Sequence, residues 1–177
     1  MSVLLVSGGA RSGKSRHAQA WAEALPGPRR YLATARCDPA DAEMAARISR
    51  HRTDRAGRGW ETIEPGVDLR TALASCRGGV ALVDCVTLWL SGLAIDHAWD
   101  EAAVLAEVDQ LADLLRAPPC AIAVVTNEVG SGVVPANEWG RAFRDLQGFA
   151  NQRLAAAADQ VVLCVCGLPL TVKPCAR

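Results

Sequence analysis

Short apolar runs alternate along the chain with longer segments in which apolar residues recur at helical spacing. The runs are rich in Val, Ile and Leu and are bounded by Gly, Pro or polar residues. Runs that are apolar on both faces are typical of strands buried in a parallel sheet. The pattern predicts five such strands, at residues 3–6, 31–34, 80–83, 122–125 and 161–165.

The segments between these runs predict helices, and two weaker patterns predict further strands. The helices fall at residues 14–24, about 40–55, 68–75, 100–116 and about 137–158. A short strand is expected at 61–63, and residues 168–172 are expected to return as an antiparallel edge hairpin. Strands that alternate with helices indicate βαβ units. The chain of 177 residues is therefore expected to form one α/β domain over residues 1–177, with a mostly parallel central sheet flanked by helices.

The octapeptide GGARSGKS lies between the first predicted strand and the first predicted helix. It fits the pattern G-x-x-x-x-G-K-S, in which glycines let successive N–H groups point at a phosphate. Lys14 would contact the β- and γ-phosphates, and the Ser15 hydroxyl would bind Mg²⁺. A Gly-rich turn that merely caps a helix is the alternative, but the flanking strand and helix favour a P-loop NTPase fold of the RecA-like kind.

A P-loop also predicts an acidic residue at the end of another central strand, where it holds Mg²⁺ or its water. Asp84 ends the third predicted strand and fits this role. A strand-ending Asp that only caps the next turn is the alternative. With the P-loop present, the metal role is favoured.

Charge and composition narrow the function to a small-molecule enzyme. The 19 basic residues balance the 19 acidic ones and aromatic residues make up 5%, which argues against a nucleic-acid partner. The two lysines, Lys14 and Lys173, leave no place for the Asn-Lys-x-Asp element of a switch GTPase. No apolar run is long enough to span a membrane and no signal pattern opens the chain, so a cytoplasmic protein is expected, with its seven cysteines reduced and mostly buried.

A basic stretch around His51 is the candidate for covalent chemistry. If residues 41–55 are helical, Arg47 and Arg55 lie four residues on either side of His51. Nearby guanidinium groups disfavour imidazolium, and neutral imidazole is the nucleophilic form. An idle histidine on a solvated basic helix is the alternative that the pattern leaves open. His17 and His97 are weaker candidates.

Several motifs together resemble one family over about residues 3–173. They are GGARSGKS, ATA at 33–35, EMAARISRH ending at His51, LVDCVTLWL, TNEVGSGVVP and FRDLQGFANQRLAAAADQVVL. The family is that of the bifunctional adenosylcobinamide kinase / adenosylcobinamide-phosphate guanylyltransferase. The resemblance implies phosphorylation of adenosylcobinamide by ATP or GTP. Transfer of GMP from GTP to adenosylcobinamide phosphate then follows through a GMP-histidine on His51, giving adenosylcobinamide-GDP and pyrophosphate.

The resemblance also implies site residues and an assembly. His51 and Lys14 would be catalytic, Ser15 and Asp84 would hold Mg²⁺, and the family forms homotrimers. The nucleotide-binding residues would be Gly8, Gly9, Ala10, Arg11, Ser12, Gly13, Lys14, Ser15, Thr34, Ala35, Arg36, Arg52, Thr53, Asp54, Arg55, Glu64 and Asp84.

Some alternatives stay open from the sequence. Asn127 and Glu128 follow the fourth predicted strand, where they would orient Mg²⁺, water or the corrinoid, or else cap a turn. Glu64 is expected to contact guanine or ribose, or to face water. A kinase without transferase activity and a non-catalytic nucleotide-binding subunit are the competing functions.

Overall fold

The computed structural model describes residues 1–36, 41–66 and 68–175, and it contains one seven-stranded sheet. The strands are β1 (Val3–Gly8), β2 (Arg29–Ala33), β3 (Trp60–Ile63), β4 (Val80–Asp84), β5 (Ala121–Val125), β6 (Gln160–Val165) and β7 (Leu168–Lys173). Their order is β3-β2-β4-β5-β1-β6-β7. All neighbours pair in parallel except β6 and β7, which form an antiparallel pair at one edge. The predicted α/β class, the parallel sheet and the edge hairpin are confirmed.

Six α-helices and one 3-10 turn accompany the strands in the described part of the chain. They are α1 (Lys14–Glu23), α2 (Ala42–Arg55), α3 (Leu69–Ser75), α4 (Val86–Asp96), α5 (Glu101–Arg116) and α6 (Glu138–Ala157), with the 3-10 turn at Val129–Ser131. Asp41, Asp68, Asp100 and Asn137 each accept a backbone N–H at the start of a helix. The predicted helices are thus found, although the first residues expected for α2 lie outside the described range. No helix among the described residues is long and apolar enough to cross a membrane.

Alternate residues of the central strands enter two hydrophobic cores on opposite faces of the sheet. In β1, Val3 and Leu5 pack with buried residues of α3, α4, α5 and α6, whereas Leu4 and Val6 pack with residues of α1. Successive side chains of a strand point to opposite faces, so a strand with both faces covered has to be apolar throughout. This accounts for the continuous apolar runs of the sequence.

Helix α4 was not predicted from the sequence. Its residues Val86, Trp89, Leu90, Leu93 and Ala94 are all buried between the sheet and neighbouring helices. A helix that is buried on most sides has no polar face, so it gives no amphipathic period. No side chain caps its first turn, and neither end carries the usual charged residues, so the helix also lacks start and stop signals.

The cysteines are free thiols in the part of the chain that the structure describes. Cys76, Cys85, Cys120 and Cys164 are buried, as expected for residues in apolar runs. Burial raises the pKa of the Cys85 thiol, which keeps it protonated. Cys166, in the turn between β6 and β7, and Cys175 are exposed, so burial holds for most of the described cysteines but not for all of them. Cys37 lies outside the described residues.

The strand order brings the candidate functional residues together at the carboxyl ends of the central strands. Strand β5 lies between β1, which leads into the P-loop, and β4, which ends at Asp84. Residues 126–128 follow β5 directly. Because ligands of open parallel sheets bind outside the carboxyl ends of the strands, these three connections mark the place to look for a site.

Candidate nucleotide-binding site

The loop between β1 and α1 has the backbone that a phosphate cradle needs. Gly13 precedes the first residue of α1 with a φ of 90°, a conformation that favours glycine. Gly8 has a φ of 155°, and a Cβ built there would lie 2.5 Å from Ser12 Oγ and 2.6 Å from the Cys164 carbonyl oxygen. Both glycines of the motif are therefore required by local geometry.

Lys14 lies across this loop. Its Nζ donates a hydrogen bond to the Gly9 carbonyl oxygen at 2.9 Å, and the residue is 9% exposed. The turn between β6 and β7 supports the loop from behind, because the Gly167 amide donates to the Ser12 carbonyl at 3.0 Å. The ammonium group is thus held at the mouth of the loop, where it can meet a phosphate.

A cleft of about 800 Å³ opens above the P-loop. Its floor is residues 9–16, one wall is helix α2 with Glu43, Arg50, His51 and Asp54, and the other wall is residues 127–129. Helix N-termini and loop amides carry positive partial charge, and Lys14 adds a full one. The cleft has the size and the charge to take a polyphosphate.

A second cavity of about 320 Å³ lies between α2 and the ends of β2 and β4. Its walls combine apolar side chains with a few polar ones, as small-molecule pockets commonly do. They include Tyr31, Ala33, Ala35, Met44, Ile48, His51, Arg52, Arg55, Glu64, Asp84 and Leu88. This cavity can take a flat, partly polar group such as a nucleobase.

His51 lines both cavities. It is the tenth residue of α2 and is half-buried, so its imidazole lies where the P-loop cleft and the second cavity adjoin. A ligand that filled both spaces would pass this side chain. The predicted arginine environment is described only in part, because the Arg47 side chain lies outside the described residues.

Arg55, Tyr31 and Asp84 form a stack at the inner wall of the second cavity. The Arg55 guanidinium carbon lies 3.4 Å from the centre of the Tyr31 ring, in cation–π contact. The Tyr31 hydroxyl donates to Asp84 Oδ2 at 2.5 Å. Burial raises the pKa of Tyr31 above its ordinary range, and the charge of Asp84 adds to the effect, so the phenol stays protonated and keeps donating.

The Arg55 guanidinium has unused donors. The residue is 5% exposed, and within the described part of the chain its Nε and Nη1 atoms have no hydrogen-bond acceptor. Buried donors without a partner are costly, and such groups in a site commonly find their acceptor on a ligand. Arg55 is therefore equipped to bind a polar or anionic group in this cavity.

The remaining predicted residues differ in where they lie. Glu64 and Arg52 form an exposed ion pair, with Arg52 Nη2 and Glu64 Oε1 2.5 Å apart at the rim of the second cavity. Asp54 lines the P-loop cleft and Ala35 the second cavity.

Thr34, Arg36 and Thr53 line neither cavity. Thr34 is buried and donates to the Cys85 carbonyl oxygen at 2.7 Å. Arg36 forms an ion pair with Asp96 of α4, and Thr53 Oγ1 donates to the Ser49 carbonyl oxygen at 3.1 Å. Their predicted contacts with nucleotide remain predictions.

The donors needed for Mg²⁺ are present. Ser15 lines the P-loop cleft and Asp84 the adjoining cavity, and one carboxylate oxygen of Asp84 accepts from Tyr31. Mg²⁺ prefers oxygen ligands and commonly takes only one or two from protein when phosphates and water supply the rest. No group of three or more acidic, His or Cys side chains able to hold a metal occurs among the described residues. Ser15 and Asp84 fit the chemistry of this ion.

A hydrogen-bonded network behind the cleft was missed by the sequence reasoning. Gln147 is buried in α6, and its Nε2 donates to Thr126 Oγ1 at 3.0 Å and to Asn151 Oδ1 at 2.9 Å. Asn151 Nδ2 donates to the Asn127 carbonyl oxygen at 3.0 Å. The available signal was a pair of amides, four residues apart, next to the apolar positions of α6.

The chain has a P-loop after the first strand of a mostly parallel sheet, and a pocket adjoins that loop. These two features define a nucleotide-binding protein of the P-loop α/β class. Residues 4–172 match the family described as cobinamide kinase / cobinamide phosphate guanyltransferase, and the chain belongs to this family. The chain is therefore an enzyme of a family whose name states both a kinase and a guanyltransferase activity.

Curated relatives agree over nearly the whole length. The bifunctional adenosylcobalamin biosynthesis protein CobU of Salmonella typhimurium is 40% identical, with 97% of this chain and 99% of the relative covered. CobU of Escherichia coli has the same identity and coverage. The bifunctional protein CobP of Pseudomonas aeruginosa is 39% identical, with 96% of each chain covered.

Proposed function

We propose that this chain phosphorylates adenosylcobinamide with ATP or GTP and then transfers GMP from GTP to the resulting phosphate, through a GMP-histidine on His51. The position of His51 between the P-loop cleft and the second cavity carries the proposal. Family membership and the bifunctional names of the relatives support the two reactions.

In this proposal the triphosphate binds in the P-loop cleft and the base in the second cavity. The α-phosphate joins the base-bearing nucleoside to the other two phosphates, so it would lie beside the residue common to both spaces. The unused donors of Arg55 support a polar ligand in the second cavity. Lys14 would stabilise charge on the β- and γ-phosphates, and Glu64 and Arg52 would contact the nucleoside at the rim.

The proposed transferase reaction consists of two successive displacements at the α-phosphorus of GTP. An imidazole nitrogen of His51 attacks the α-phosphorus, the bond to the α–β bridging oxygen breaks, and pyrophosphate leaves. A phosphate oxygen of adenosylcobinamide phosphate then attacks the same phosphorus, and the phosphorus–nitrogen bond breaks to return free His51. A covalent intermediate divides one difficult transfer into two easier ones.

We propose Mg²⁺ as the metal, held by the Ser15 hydroxyl and the Asp84 carboxylate together with the nucleotide phosphates. When bound, the ion would neutralise charge on the leaving phosphate groups. Tyr31 would keep the Asp84 carboxylate oriented, since its hydroxyl donates to one of the two oxygens. We also propose, from the family resemblance, that the chain assembles as a homotrimer.

Covalent labelling tests the proposal. Purified protein would be incubated with Mg²⁺ and GTP labelled at the α-phosphate, denatured, and treated with acid or base. We expect label on the protein that survives base and is released by acid, as a phosphorus–nitrogen bond requires, and no label on His51→Ala. His97→Ala is the matched control because His97 follows α4 and lines neither cavity, and we expect it to label like the wild type.

Two results would contradict the proposal. Label that persists in His51→Ala would place the covalent bond elsewhere. A wild-type protein that binds GTP and phosphorylates adenosylcobinamide without becoming labelled would be a kinase only.

A further inference from the structure

Glu128 enters the P-loop cleft from the side opposite to α2. It follows β5, and its backbone amide donates to the carbonyl oxygen of Gly8, the first glycine of the P-loop, at 3.3 Å. Its side chain is half-buried and lines the same cleft as Lys14 and His51. Glu128 is therefore fixed to the phosphate-binding loop through its own backbone.

The carboxylate of Glu128 is also held in place. Its Oε1 accepts from the Ser7 hydroxyl and from Asn151 Nδ2, the latter at 3.4 Å. Asn151 is itself held by Gln147, which is buried in α6. A side chain whose supports are packed and hydrogen-bonded keeps one orientation, which catalytic groups need.

Both hydrogen bonds end on Oε1. Among the described residues none is formed by Oε2, so the second oxygen of a firmly held carboxylate remains available to a ligand in the cleft.

The other acidic side chains near the phosphate site are arranged differently. Glu43 and Asp54 line the cleft from α2, but both are exposed, and within the described residues their carboxylates form no hydrogen bond or ion pair to hold them. Asp84 lines the second cavity and accepts from Tyr31. Glu128 alone of these four combines a place beside the P-loop with a hydrogen-bonded support.

We propose that Glu128 is the general base of the kinase step. This rests on the proposed function. The Glu128 carboxylate takes the proton of the substrate hydroxyl group that is phosphorylated, while the oxygen of that group bonds to the γ-phosphorus of the nucleotide. The bond between the γ-phosphorus and the β–γ bridging oxygen breaks, the nucleoside diphosphate leaves, and the proton passes from Glu128 to solvent.

A general base at Glu128 would assist the kinase reaction but not the transferase reaction. An alcohol has to lose its proton when it is phosphorylated, and a positioned base assists that loss. The nucleophiles of the transferase reaction are a neutral imidazole nitrogen and a phosphate oxygen, which attack through lone pairs without first losing a proton. A general base at Glu128 therefore predicts that the two activities can be separated.

The Glu128→Gln variant tests this separation. An amide oxygen can still accept from Ser7 and Asn151, so the support is kept, but the group can no longer take a proton. The kinase would be measured as formation of adenosylcobinamide phosphate, and the transferase as formation of adenosylcobinamide-GDP from supplied adenosylcobinamide phosphate and GTP. Glu107→Gln is the matched control, because Glu107 of α5 is half-buried like Glu128 but lines neither cavity.

We expect the kinase kcat of Glu128→Gln to fall about 10²- to 10⁴-fold, as loss of a general base commonly does. The transferase rate should stay close to that of the wild type, which also shows that the variant folds and binds GTP. Glu107→Gln should match the wild type in both reactions.

Unchanged kinase activity in Glu128→Gln would overturn this inference and leave the proposed function standing. An equal loss of both activities would overturn it as well, because Glu128 would then serve the shared nucleotide or metal site. A wild-type protein with neither activity would overturn the proposed function, and the inference with it.

Discussion

Tyr31 shows how much one residue can contribute to this site without being part of its chemistry. The Arg55 guanidinium packs on its ring, and its hydroxyl donates a hydrogen bond that orients Asp84. The ring also makes an edge contact with Trp60, with the ring centres 6.1 Å apart. The sequence reasoning placed Tyr31 in a strand, but the partners come from α2, β3 and β4, so no local pattern could have predicted this role.

The raised pKa of Tyr31 leads to a prediction about alkaline stability. The phenol ionises near pH 10 in the unfolded chain but at higher pH in the folded one, so the unfolded state binds fewer protons above pH 10. This contribution to stability is present in full below pH about 10 and is lost as the pH rises further. Tyr31 is the chain's one tyrosine, so phenolate absorbance reports it directly. We expect that absorbance to rise together with unfolding followed by circular dichroism.

The Tyr31→Phe variant is the control for this titration. It keeps the ring under Arg55 but has no phenol, so its free energy of unfolding should fall less steeply above pH 10. Phenolate absorbance that rises near pH 10 while the protein is still folded would contradict the prediction.

At the scale of elements, helix α4 is buried on most of its sides within the core on one face of the sheet. Leu90 is fully buried at its centre, whereas Ile95 near its end is 61% exposed. We expect Leu90→Ala to lower the free energy of unfolding by about 2–5 kcal/mol, because the lost side chain leaves a cavity. Ile95→Ala should change it by no more than about 0.5 kcal/mol. Urea denaturation of both variants measures the difference, and equal effects would contradict the burial of α4.

The contrast between α4 and the P-loop shows which features a sequence can predict. The P-loop depends on residues within one octapeptide, so its glycines, Lys14 and the flanking elements were all predicted and are found. Helix α4 depends on the helices that surround it, and its apolar sequence is compatible with several structures. The same distinction holds in the site, where the local pattern of α2 made His51 a candidate and the family resemblance implied its role. The network of Gln147 and Asn151 needs α6 to lie against residues 126 and 127, which follow β5, so it is seen only in the folded chain.

At the scale of the whole molecule, one edge of the sheet exposes a row of apolar side chains. Leu168, Leu170 and Val172 point to the same side of β7, since they alternate along it, and each is more than half exposed. Large exposed apolar groups raise the free energy of an isolated chain in water and are commonly covered by association. The row is therefore a surface that assembly of the chain could cover.

The proposed homotrimer gives a measurable mass. Light scattering coupled to gel filtration should give three times the 18.7 kDa of one chain, and the value should hold on dilution if the contacts are extensive. Each copy has its own P-loop cleft and second cavity, so nucleotide labelling should reach one GMP per chain. A mass of one chain at every concentration would contradict the trimer. Labelling that stops at one GMP per assembly would show that the copies do not act independently.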